Sequence, residues 1–323
     1  MRVVEVTEYG DPSVLTVTQK PRPEPTDDEV RIDVVRAGVN FADIEKRRGN
    51  YPDGPAPPYV PGIEVSGTID ATGPDADRQV GEPVTAIVDG GGYAEYVVTS
   101  VETLIDIPSG MDLATAVALP VQFLTAHNAL FEWGGLETGE RVLIHAAAGG
   151  VGTAAVQLAH QTGATVFGTA STADKLAVAS DLGVSHPIDY TTEDVTSVIE
   201  DVTDGDGVDL VLDGVGGDAF YASVDALADC GRIVTYGMAS GDIPTISTPR
   251  LFFANQSLLG YHLGHALEHA PERVQTGVNT LTDRFETGAF TVEIGLELPL
   301  SEAMDAHEAL ASRETVGKTA LIP

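Results

Sequence analysis

The sequence predicts an α/β protein that joins a β-rich domain to a doubly wound parallel-sheet domain. Short strand-like runs separated by Gly and Pro fill the first third, and strand and helix patterns alternate through the middle of the chain. Repeated β-α-β alternation is typical of a parallel sheet with helices on both faces. At 323 residues the chain is long enough for about two domains of ordinary size.

The first third carries the β-rich domain. EVRIDVVRAGV (29–39) alternates apolar and polar residues as a half-buried strand does, and YVPGIEVSGTIDATG, EPVTAIV and GGYAEYVVTS are similar runs. From about residue 112 the composition shifts to helical runs such as FLTAHNALFEW. We therefore end the first stretch of this domain at residue 122.

Strands and helices alternate in the middle of the chain. RVLIHA precedes the helix pattern GTAAVQLAHQTG, ATVFGTA precedes ADKLAVASDLG, and VDLVLDGVG precedes DAFYASVDALADCG, with GRIVTYG and SLLGYHL as further strands. The tail then reads helix, strand, helix, strand, and is too short to fold well alone. Because it is expected to return to the first domain, the predicted domains are 1–122 with 263–323, and 123–262.

The charge excludes several classes of partner. The chain has 49 acidic and 17 basic residues, a formal net charge of −32, and the acids are spread along its length. Nucleic acids and anionic lipids are bound through clustered Lys and Arg, so neither is an expected partner. Because high salt screens the self-repulsion of such a surface, the composition predicts a salt-adapted source.

The sequence predicts a cytoplasmic protein that does not insert into membranes. No apolar run approaches the length of a membrane span, and the first residues lack the features of a signal peptide. The single cysteine, Cys230, excludes a disulfide framework and a multi-cysteine zinc site. We expect Cys230 to be a small buried apolar group at a helix end.

The stretch HAAAGGVGTAAVQLA (145–159) has the pattern of a dinucleotide-binding turn between a strand and a helix. Ala147, Gly149 and Gly152 occupy the three glycine positions of G-x-G-x-x-G, with Gly150 and Val151 between them. Gly149 would let the backbone approach a pyrophosphate, Gly152 would let the helix pack on its strand, and helix-start amides would hold the anion. We call Ala147–Gly152 the phosphate corner; the alternative is a turn that serves packing only.

The end of the second predicted strand favours NADP(H) over NAD(H). GTASTADK (168–175) lacks the Asp or Glu that binds ribose hydroxyls in NAD-dependent proteins, and places Ser171 and Lys175 there instead. A lysine in this position suits a 2′-phosphate, and the chain has only four lysines. In the alternative interpretation Lys175 is a solvated helix-start residue, and Asp174 beside it weighs against phosphate binding.

The chain resembles the zinc-independent quinone oxidoreductases of the medium-chain dehydrogenase/reductase superfamily, to which the zeta-crystallins also belong. The resemblance covers nearly the whole chain. It rests on motifs that stand in the family's order: AGVNFADIEKRRGNYP, PGIEVSG, GGYAEYV, HAAAGGVGTAAVQLA, GTASTADKL, VDLVLDGVGG and GRIVTYGMASG.

The resemblance implies a GroES-like β-rich catalytic domain built from both chain ends, a Rossmann domain between them, an active site in the interdomain cleft, NADPH as the cofactor, and a homodimer or higher oligomer. It also implies two sets of site residues. The cofactor-binding set adds Asn40, Thr125, Ser171, Lys175, Tyr190, Val215, Gly237 and Arg313 to the phosphate corner. The candidate catalytic or cleft-shaping residues are Asn40, Asp43, Glu45, Tyr51 and Glu64.

Metal-free hydride transfer follows from the same resemblance. Zinc-dependent relatives carry Cys at the position of Asn40 and His at that of Ile63, and neither ligand is present here. Without a metal to polarise an alcohol, the expected acceptor is one that is already electrophilic, a quinone or an activated C=C bond. Relatives often have Tyr where this chain has Glu45, and a carboxylate there would disfavour anionic quinones. An enoyl or alkenal reductase and a non-catalytic, crystallin-like NADPH-binding protein remain alternatives.

Three histidines near the start of the tail have the spacing of residues on one helix face. His262, His265 and His269 could together chelate a metal ion in that arrangement. The nearby Gly260, Gly264 and Pro271 favour a broken helical segment instead, and no Cys or carboxylate motif completes a metal site. The sequence therefore predicts no metal.

Overall fold

A computed structural model describes all residues from Met1 to Pro323. The chain divides into two compact units, one formed by Met1–Val121 with Thr282–Pro323 and the other by Gln122–Leu281. The strands are β1 (Arg2–Val6), β2 (Leu15–Gln19), β3 (Glu29–Val39), β4 (Glu64–Thr72), β5 (Pro83–Ile87), β6 (Tyr96–Ser100), β7 (Leu104–Asp106), β8 (Arg141–Ile144), β9 (Thr165–Ala170), β10 (His186–Asp189), β11 (Val208–Asp213), β12 (Leu227–Thr235), β13 (Ser257–Gly260), β14 (Ile294–Pro299) and β15 (Lys318–Ile322).

The helices lie mostly in the second unit, where they alternate with the strands. They are α1 (Phe41–Arg48), α2 (Leu113–Ala116), α3 (Leu124–His127), α4 (Gly150–Thr162), α5 (Ala173–Asp181), α6 (Val195–Thr203), α7 (Gly217–Asp225), α8 (Thr248–Phe252), α9 (Leu263–His269), α10 (Pro271–Glu286) and α11 (Ala303–Ala311). Two π-helical turns, Leu119–Phe123 and Asn128–Trp133, flank α3.

The first unit is built on a seven-stranded sheet. Its strand order is β14-β15-β3-β4-β5-β7, with β6 also paired to β3, and β1 and β2 form a separate antiparallel pair. The run EVRIDVVRAGV that the sequence predicts as a strand is β3. Strand β15, from the C-terminal end of the chain, lies between β14 and β3, so both chain ends contribute to one sheet and to one apolar core.

The second unit is a six-stranded parallel sheet with the order β10-β9-β8-β11-β12-β13. Its chain order is that of a doubly wound Rossmann sheet, so the predicted fold class is confirmed. The strand order reverses between β8 and β11. Ligands of such sheets bind outside the carboxyl ends of the strands at this switch point, which is where the phosphate corner follows β8.

The second boundary lies later in the structure than the position predicted at residue 263. The segment up to Leu281 belongs to the second unit, because α10 packs there. Arg273 stacks on the Trp133 ring with 3.9 Å between the guanidinium carbon and the ring centroid, and a side chain at Gly277 would contact His127 and Asn128. The part of the tail that returns to the first unit begins at Thr282.

Cys230 differs from the prediction. The predicted helix around it ends at Asp225, and Cys230 lies in β12 with a φ of 63° and an exposed side chain. Its backbone N–H donates to the Ala254 carbonyl at 2.8 Å. The β11–β12 register shifts between Val208 and Leu210, and an irregular strand of this kind gives no periodic sequence signal.

Helices long and apolar enough to span a lipid bilayer are absent. The three histidines lie where α9 begins and ends, with His262 capping the helix, and α9 breaks from α10 at Ala270–Pro271. This break agrees with the predicted interrupted segment.

Candidate active site

The phosphate corner joins β8 to α4 through a tight turn. Ala146 has a φ of 51°, and Gly149 N–H donates to the Ala146 carbonyl at 2.8 Å. The first backbone bond within α4 is donated by Thr153 to Gly149 at 2.9 Å. The amides of Gly150, Val151 and Gly152 at the helix start are therefore free of the helical ladder and can bind an anion, aided by the helix dipole.

Gly149 and Gly152 have different surroundings in this corner. A Cβ on Gly152 would overlap the Ala146 carbonyl oxygen and lie 2.9 Å from the Ala147 carbonyl carbon, so the close turn excludes a side chain there. A Cβ on Gly149 would meet only Ala146, whose oxygen would be 3.2 Å away. Apart from this tight contact with the Ala146 oxygen the space beside Gly149 is open, as the approach of a pyrophosphate to the backbone requires.

The three residues assigned to the 2′-phosphate gather at the ends of β9 and β10. Ser171 follows β9 directly, and Tyr190 N–H donates to the Ala170 carbonyl at 3.3 Å. Thr172 caps α5 by accepting from Lys175 N–H at 3.3 Å, which places Lys175 in the first turn of that helix. The structure therefore brings Ser171, Lys175 and Tyr190 to one edge of the sheet.

The residues assigned to the nicotinamide end lie after β11 and β12. Asp213 Oδ1 accepts from Val215 N–H at 2.7 Å and from Gly216 N–H at 3.0 Å, which shapes the turn that follows β11. A Cβ on Gly237 would lie 2.8 Å from the Gly214 carbonyl oxygen, so Val215 and Gly237 stand on adjacent turns at the switch-point edge. Thr125, buried in α3, belongs to the same unit.

A buried histidine connects the phosphate corner to its neighbours and was missed by the sequence reasoning. His145 lies 3.1 Å from the Thr169 hydroxyl through Nδ1 and 2.8 Å from the Ser223 hydroxyl through Nε2. Burial lowers the pKa of His145 and favours the neutral ring. Because Ser223 donates to the Ala219 carbonyl, it accepts from Nε2–H, and Nδ1 accepts from Thr169.

In the first unit, Asn40, Glu64 and Lys318 form a buried polar cluster, which we call the Glu64 cluster. Glu64 is 0% exposed and Lys318 is 2% exposed. Glu64 Oε1 accepts from Asn40 Nδ2 at 2.7 Å and pairs closely with Lys318 Nζ, which also contacts Asn40 Oδ1 at 2.9 Å. Glu64 Oε2 accepts from Val121 N–H at 2.9 Å, so both carboxylate oxygens are satisfied inside the unit.

Lys318 is a residue of this cluster that the sequence reasoning did not select. It is one of four lysines in a chain with 49 acids, and the scarcity argument applied to Lys175 would have selected it as well. Gly38, on β3, makes the cluster possible, because a Cβ there would overlap the Glu64 carboxylate. Residues so far apart in the chain show no common spacing, and their contact appears only in the folded sheet.

Asp43, in the first turn of α1, is a buried carboxyl with mainly backbone partners. Its Oδ2 accepts from Asn40 N–H at 2.9 Å, and its Oδ1 lies 3.3 Å from Gly62 N. Burial raises the pKa of Asp43 from 3.8 to about 6, although the Asn40 hydrogen bond and nearby lysines act in the opposite direction. The contacts give Asp43 a role in holding the start of α1.

Glu45 is held by its own helix and the following loop. Arg48 donates to Oε1 at 2.8 Å and Asn50 donates to Oε2 at 3.2 Å. The carboxylate charge is thus offset, which weakens the predicted repulsion of an anionic acceptor. The Lys46 ammonium lies 5.2 Å from the centroid of the Tyr51 ring, and burial raises the pKa of that phenol.

Two further predicted features can be placed. Arg313 follows α11 in the first unit with a φ of 59°, while the other cofactor candidates except Asn40 lie in the second unit. Its assignment to the cofactor stays a prediction.

The histidines of α9 do not form a metal site, since no group of three or more His, Cys, Asp or Glu side chains in the structure is arranged to hold an ion.

Comparison with known proteins supports this arrangement. Residues 26–109 match the alcohol dehydrogenase GroES-like domain, and residues 150–282 match the family described as zinc-binding dehydrogenase. A probable quinone oxidoreductase of Schizosaccharomyces pombe is 36% identical over 99% of this chain and 96% of its own. A synaptic vesicle membrane protein VAT-1 homolog of Danio rerio is 35% identical over 99% and 69%, and a 2-haloacrylate reductase of Burkholderia is 35% identical over 91% of each chain.

Solved structures agree along the whole chain. The Escherichia coli quinone oxidoreductase complexed with NADPH has a TM-score of 0.94 at 29% identity, and a mycobacterial protein complexed with NADPH has 0.93 at 34%, each covering 100% of both chains. The fold and these matches define an oxidoreductase of the medium-chain dehydrogenase/reductase superfamily. Within it, the chain belongs to the quinone oxidoreductase family, so the resemblance given by the motifs is confirmed.

The zinc named in one family description does not fit the residues at this position. Zinc is bound by Cys, His and carboxylate ligands, whereas Asn40 and Ile63 carry an amide and an alkyl chain. The adjacent carboxylate of Glu64 already binds the Lys318 ammonium, which would repel a cation. The Glu64 cluster therefore holds a lysine charge where a metal would need free ligands.

Proposed function

We propose that the chain is an NADPH-dependent reductase that transfers hydride, without a metal, to quinones or similar electrophilic acceptors. The phosphate corner carries this proposal, since it offers three helix-start amides beside an open Gly149 at the switch point of a Rossmann sheet. The NADPH bound to the E. coli quinone oxidoreductase, which matches the whole chain, supports it.

The second unit would hold the cofactor by two separate devices. The amides of the phosphate corner would bind the pyrophosphate, which NADPH and NADH share. This corner therefore supplies affinity for both cofactors and does not discriminate between them. Discrimination between NADPH and NADH would come from Ser171, Lys175 and Tyr190 at the ends of β9 and β10. A cationic side chain and two hydroxyls suit a 2′-phosphate, and β9 itself ends without the carboxylate typical of NAD-binding sheets, although Asp174 in the first turn of α5 acts against the phosphate.

The nicotinamide supplies the hydride, and the protein's part is to bind and orient. A quinone is already electrophilic, and its reduced form can take protons from water, so the reaction requires no strong general acid. The Glu64 cluster suits this role because its amide, carboxylate and ammonium saturate one another. It fixes Asn40 at the start of α1 instead of transferring a proton.

A second candidate function, reduction of an activated C=C bond, is favoured by the similarity to a 2-haloacrylate reductase. That reaction needs a proton at the carbon next to the hydride acceptor, so it would require a positioned acid. Tyr51, one of the residues that the resemblance assigns to the cleft, is the candidate, because its phenol carries a proton at neutral pH; burial raises the pKa of this phenol and so makes it a weaker acid. Loss of turnover in Tyr51→Phe with enones, but not with quinones, would identify this function.

We also propose that the chain forms a homodimer through the edge of its parallel sheet. Strand β13 ends the sheet with no neighbour on one side, and an unpaired edge can pair with a second copy. Large apolar side chains are exposed in the same unit, with Phe253 at 82%, Ile243 at 77% and Phe252 at 58%. Sedimentation of wild type against Phe253→Asp tests this assembly, which fails if the wild type is monomeric.

The deciding experiment measures NADPH and NADH consumption against quinones, enones and aldehydes, in low and molar KCl. Turnover of quinones with a preference for NADPH is the expected result. Preference for NADH, or turnover of enones alone, would contradict the proposed acceptor or cofactor. NADPH binding without turnover of any acceptor would instead support the non-catalytic, crystallin-like alternative.

A further inference from the structure

Arg47 is the largest completely buried side chain of the molecule. All three of its guanidinium nitrogens are buried, and none has a hydrogen-bond partner. Arg31, by comparison, is nearly as buried but pairs with Asp70 and Glu24. Because a buried charge without a partner is strongly unfavourable, the Arg47 site requires an acceptor that no side chain of this unit supplies.

Two more unsatisfied polar groups belong to the same region. The Tyr59 hydroxyl and His307 Nδ1 are buried without partners, so Arg47, Tyr59 and His307 hold five of the eleven such atoms in the structure. Burial is the main cause of the shifted pKa values of Tyr59 and His307, and the Arg47 charge lowers both, so the guanidinium lies within electrostatic range of each side chain. Unsatisfied buried groups are rare, so their concentration here needs a physical reason.

The surrounding elements hold this region rigidly. Arg47 lies on α1, which packs against α11, the helix that carries His307. His307 Nε2 is 3.0 Å from the Tyr93 hydroxyl, and Tyr59 N–H donates to the Val6 carbonyl at 3.2 Å. The three side chains therefore come from separate parts of the first unit and are fixed by independent contacts.

The acids near Arg47 bind other groups. Asp43, four residues before Arg47 on α1, binds Asn40 N–H, Gly62 N–H and the Tyr93 hydroxyl. Asp11, the acid with the strongest influence on it, is exposed and accepts from Ser13 N–H at 2.9 Å. Arg48 adds a second positive charge and pairs with Glu45. Burial lowers the pKa of His307 to about 3, so its ring is neutral, while a guanidinium stays charged at any ordinary pH.

We propose that Arg47, Tyr59 and His307 form a buried binding site for a small monovalent anion, with chloride as the ligand. The guanidinium offers five N–H donors and the phenol one O–H. The Tyr93 hydroxyl lies 3.0 Å from His307 Nε2 and 3.4 Å from Asp43 Oδ2, and His307 adds an Nδ1–H donor in the tautomer in which this hydroxyl donates to Nε2. A site of donors with one net positive charge, closed to bulk solvent, matches a monatomic anion and excludes a large organic one.

Charge decides between chloride and water as the occupant. A water molecule could accept from these donors, but it would leave the buried positive charge uncompensated. An anion satisfies the donors and neutralises the guanidinium at the same time. The anion must enter against the field of a chain with 49 acids and 17 bases, so we expect the site to fill only at high chloride concentration.

The test compares thermal unfolding in potassium chloride and potassium glutamate at equal potassium concentration. Both salts screen the acidic surface, but glutamate is too large for the site, so the chloride-specific rise in midpoint isolates anion binding. Crystals transferred to sodium bromide provide a direct probe, because bromide is located by its anomalous scattering. We expect a bromide peak in contact with the Arg47 guanidinium and the Tyr59 hydroxyl.

The variants are Arg47→Met, with Arg78→Met as its matched control. Arg78 lies at the surface beside Asp106 at 2.6 Å, so its loss removes the same charge without touching the site. Arg47→Met should lose the chloride-specific rise and gain stability in glutamate, because a buried unpaired charge is replaced by an apolar chain. Arg78→Met should keep the chloride-specific rise.

Tyr59→Phe is the second variant, which tests the chloride site even if Arg47→Met does not fold. It removes one donor and little volume, so the chloride concentration for half of the effect should rise roughly tenfold. Equal midpoints in the two salts for wild type, a chloride effect that survives in Arg47→Met, or only water beside the guanidinium in bromide crystals would overturn the proposal.

Discussion

The phosphate corner and the Glu64 cluster both stabilise a negative charge, the corner that of a phosphate ligand and the cluster that of a buried carboxylate, but they are built in opposite ways. The corner uses the backbone amides of three consecutive residues, Gly150, Val151 and Gly152, and needs no charged side chain. The cluster uses three side chains, and Lys318 lies 254 residues from its partner Glu64. The corner is thus a property of local sequence, whereas the cluster exists only when the sheet of the first unit is complete.

The largest expected effect comes from breaking the Glu64 cluster. Lys318→Met should leave a buried carboxylate without its counter-ion and cost about 3–5 kcal/mol of unfolding free energy. The double variant Glu64→Gln/Lys318→Met should cost less than the sum of the two single variants, because neither charge is then left alone. Denaturant unfolding of the four proteins measures this cycle.

The partly exposed pair of Lys20 and Glu5, 2.6 Å apart with side chains 40% and 15% exposed, serves as the control. Lys20→Met should cost less than about 1 kcal/mol, since solvent screens that pair. Equal costs at the two sites, or additive effects in the cycle, would show that burial does not couple Lys318 to Glu64.

A pH dependence of stability tests the neighbourhood of the cluster. Because the pKa of Asp43 is raised from 3.8 to about 6, the folded state binds a proton more tightly than the unfolded state. The resulting stability is present in full below about pH 4 and is lost as the pH rises through about 6; a shift of this size corresponds to about 3 kcal/mol.

Asp43→Asn should remove this dependence. The difference in unfolding free energy, wild type minus variant, is expected to fall by up to about 3 kcal/mol between pH 4 and pH 7. Using the difference cancels the titration of the other 48 acids, since both proteins share them. A difference that stays constant with pH would show that folding does not raise the pKa of this carboxyl.

The two glycines of the phosphate corner separate packing from binding. Gly152→Val should destabilise the fold by about 1–3 kcal/mol, because its side chain would collide with Ala146. Gly149→Val should keep most of the stability and lose NADPH binding, since its side chain would enter the open space beside the corner. Scanning calorimetry measures the stability of the two variants and titration calorimetry their affinity for NADPH. Unchanged affinity in a folded Gly149→Val protein would mean that the corner is only a packing turn.

The smallest expected effect concerns the preference for NADPH over NADH. Lys175→Ala should weaken NADPH binding by roughly ten- to hundredfold at low salt while NADH binding changes little. Lys20→Ala removes the same charge elsewhere on the surface and should change neither affinity. The ratio of the two dissociation constants is the measurement, and an equal loss for both cofactors would contradict the 2′-phosphate assignment.

The same contrast explains what the sequence could predict. The alternating strands and helices and the phosphate corner depend on neighbouring residues, so their patterns are visible in the sequence. The contact of α10 with the second unit, the exposure of Cys230 and the pairing of Lys318 with Glu64 depend on residues far apart. No periodicity or spacing encodes those contacts, and they appear only once the strands are in register.

The position of β15 has a consequence for synthesis of the chain on the ribosome. The second unit is one continuous segment and can fold as soon as it has emerged. The first unit cannot close its sheet until β15 pairs with β3, whose Val39 precedes Lys318 by 279 residues. During most of translation the Ala37–Val39 end of β3 therefore lacks its partner, while β6 already covers Glu29–Asp33. We expect the nascent protein to depend on its dense negative charge to keep that open end from aggregating.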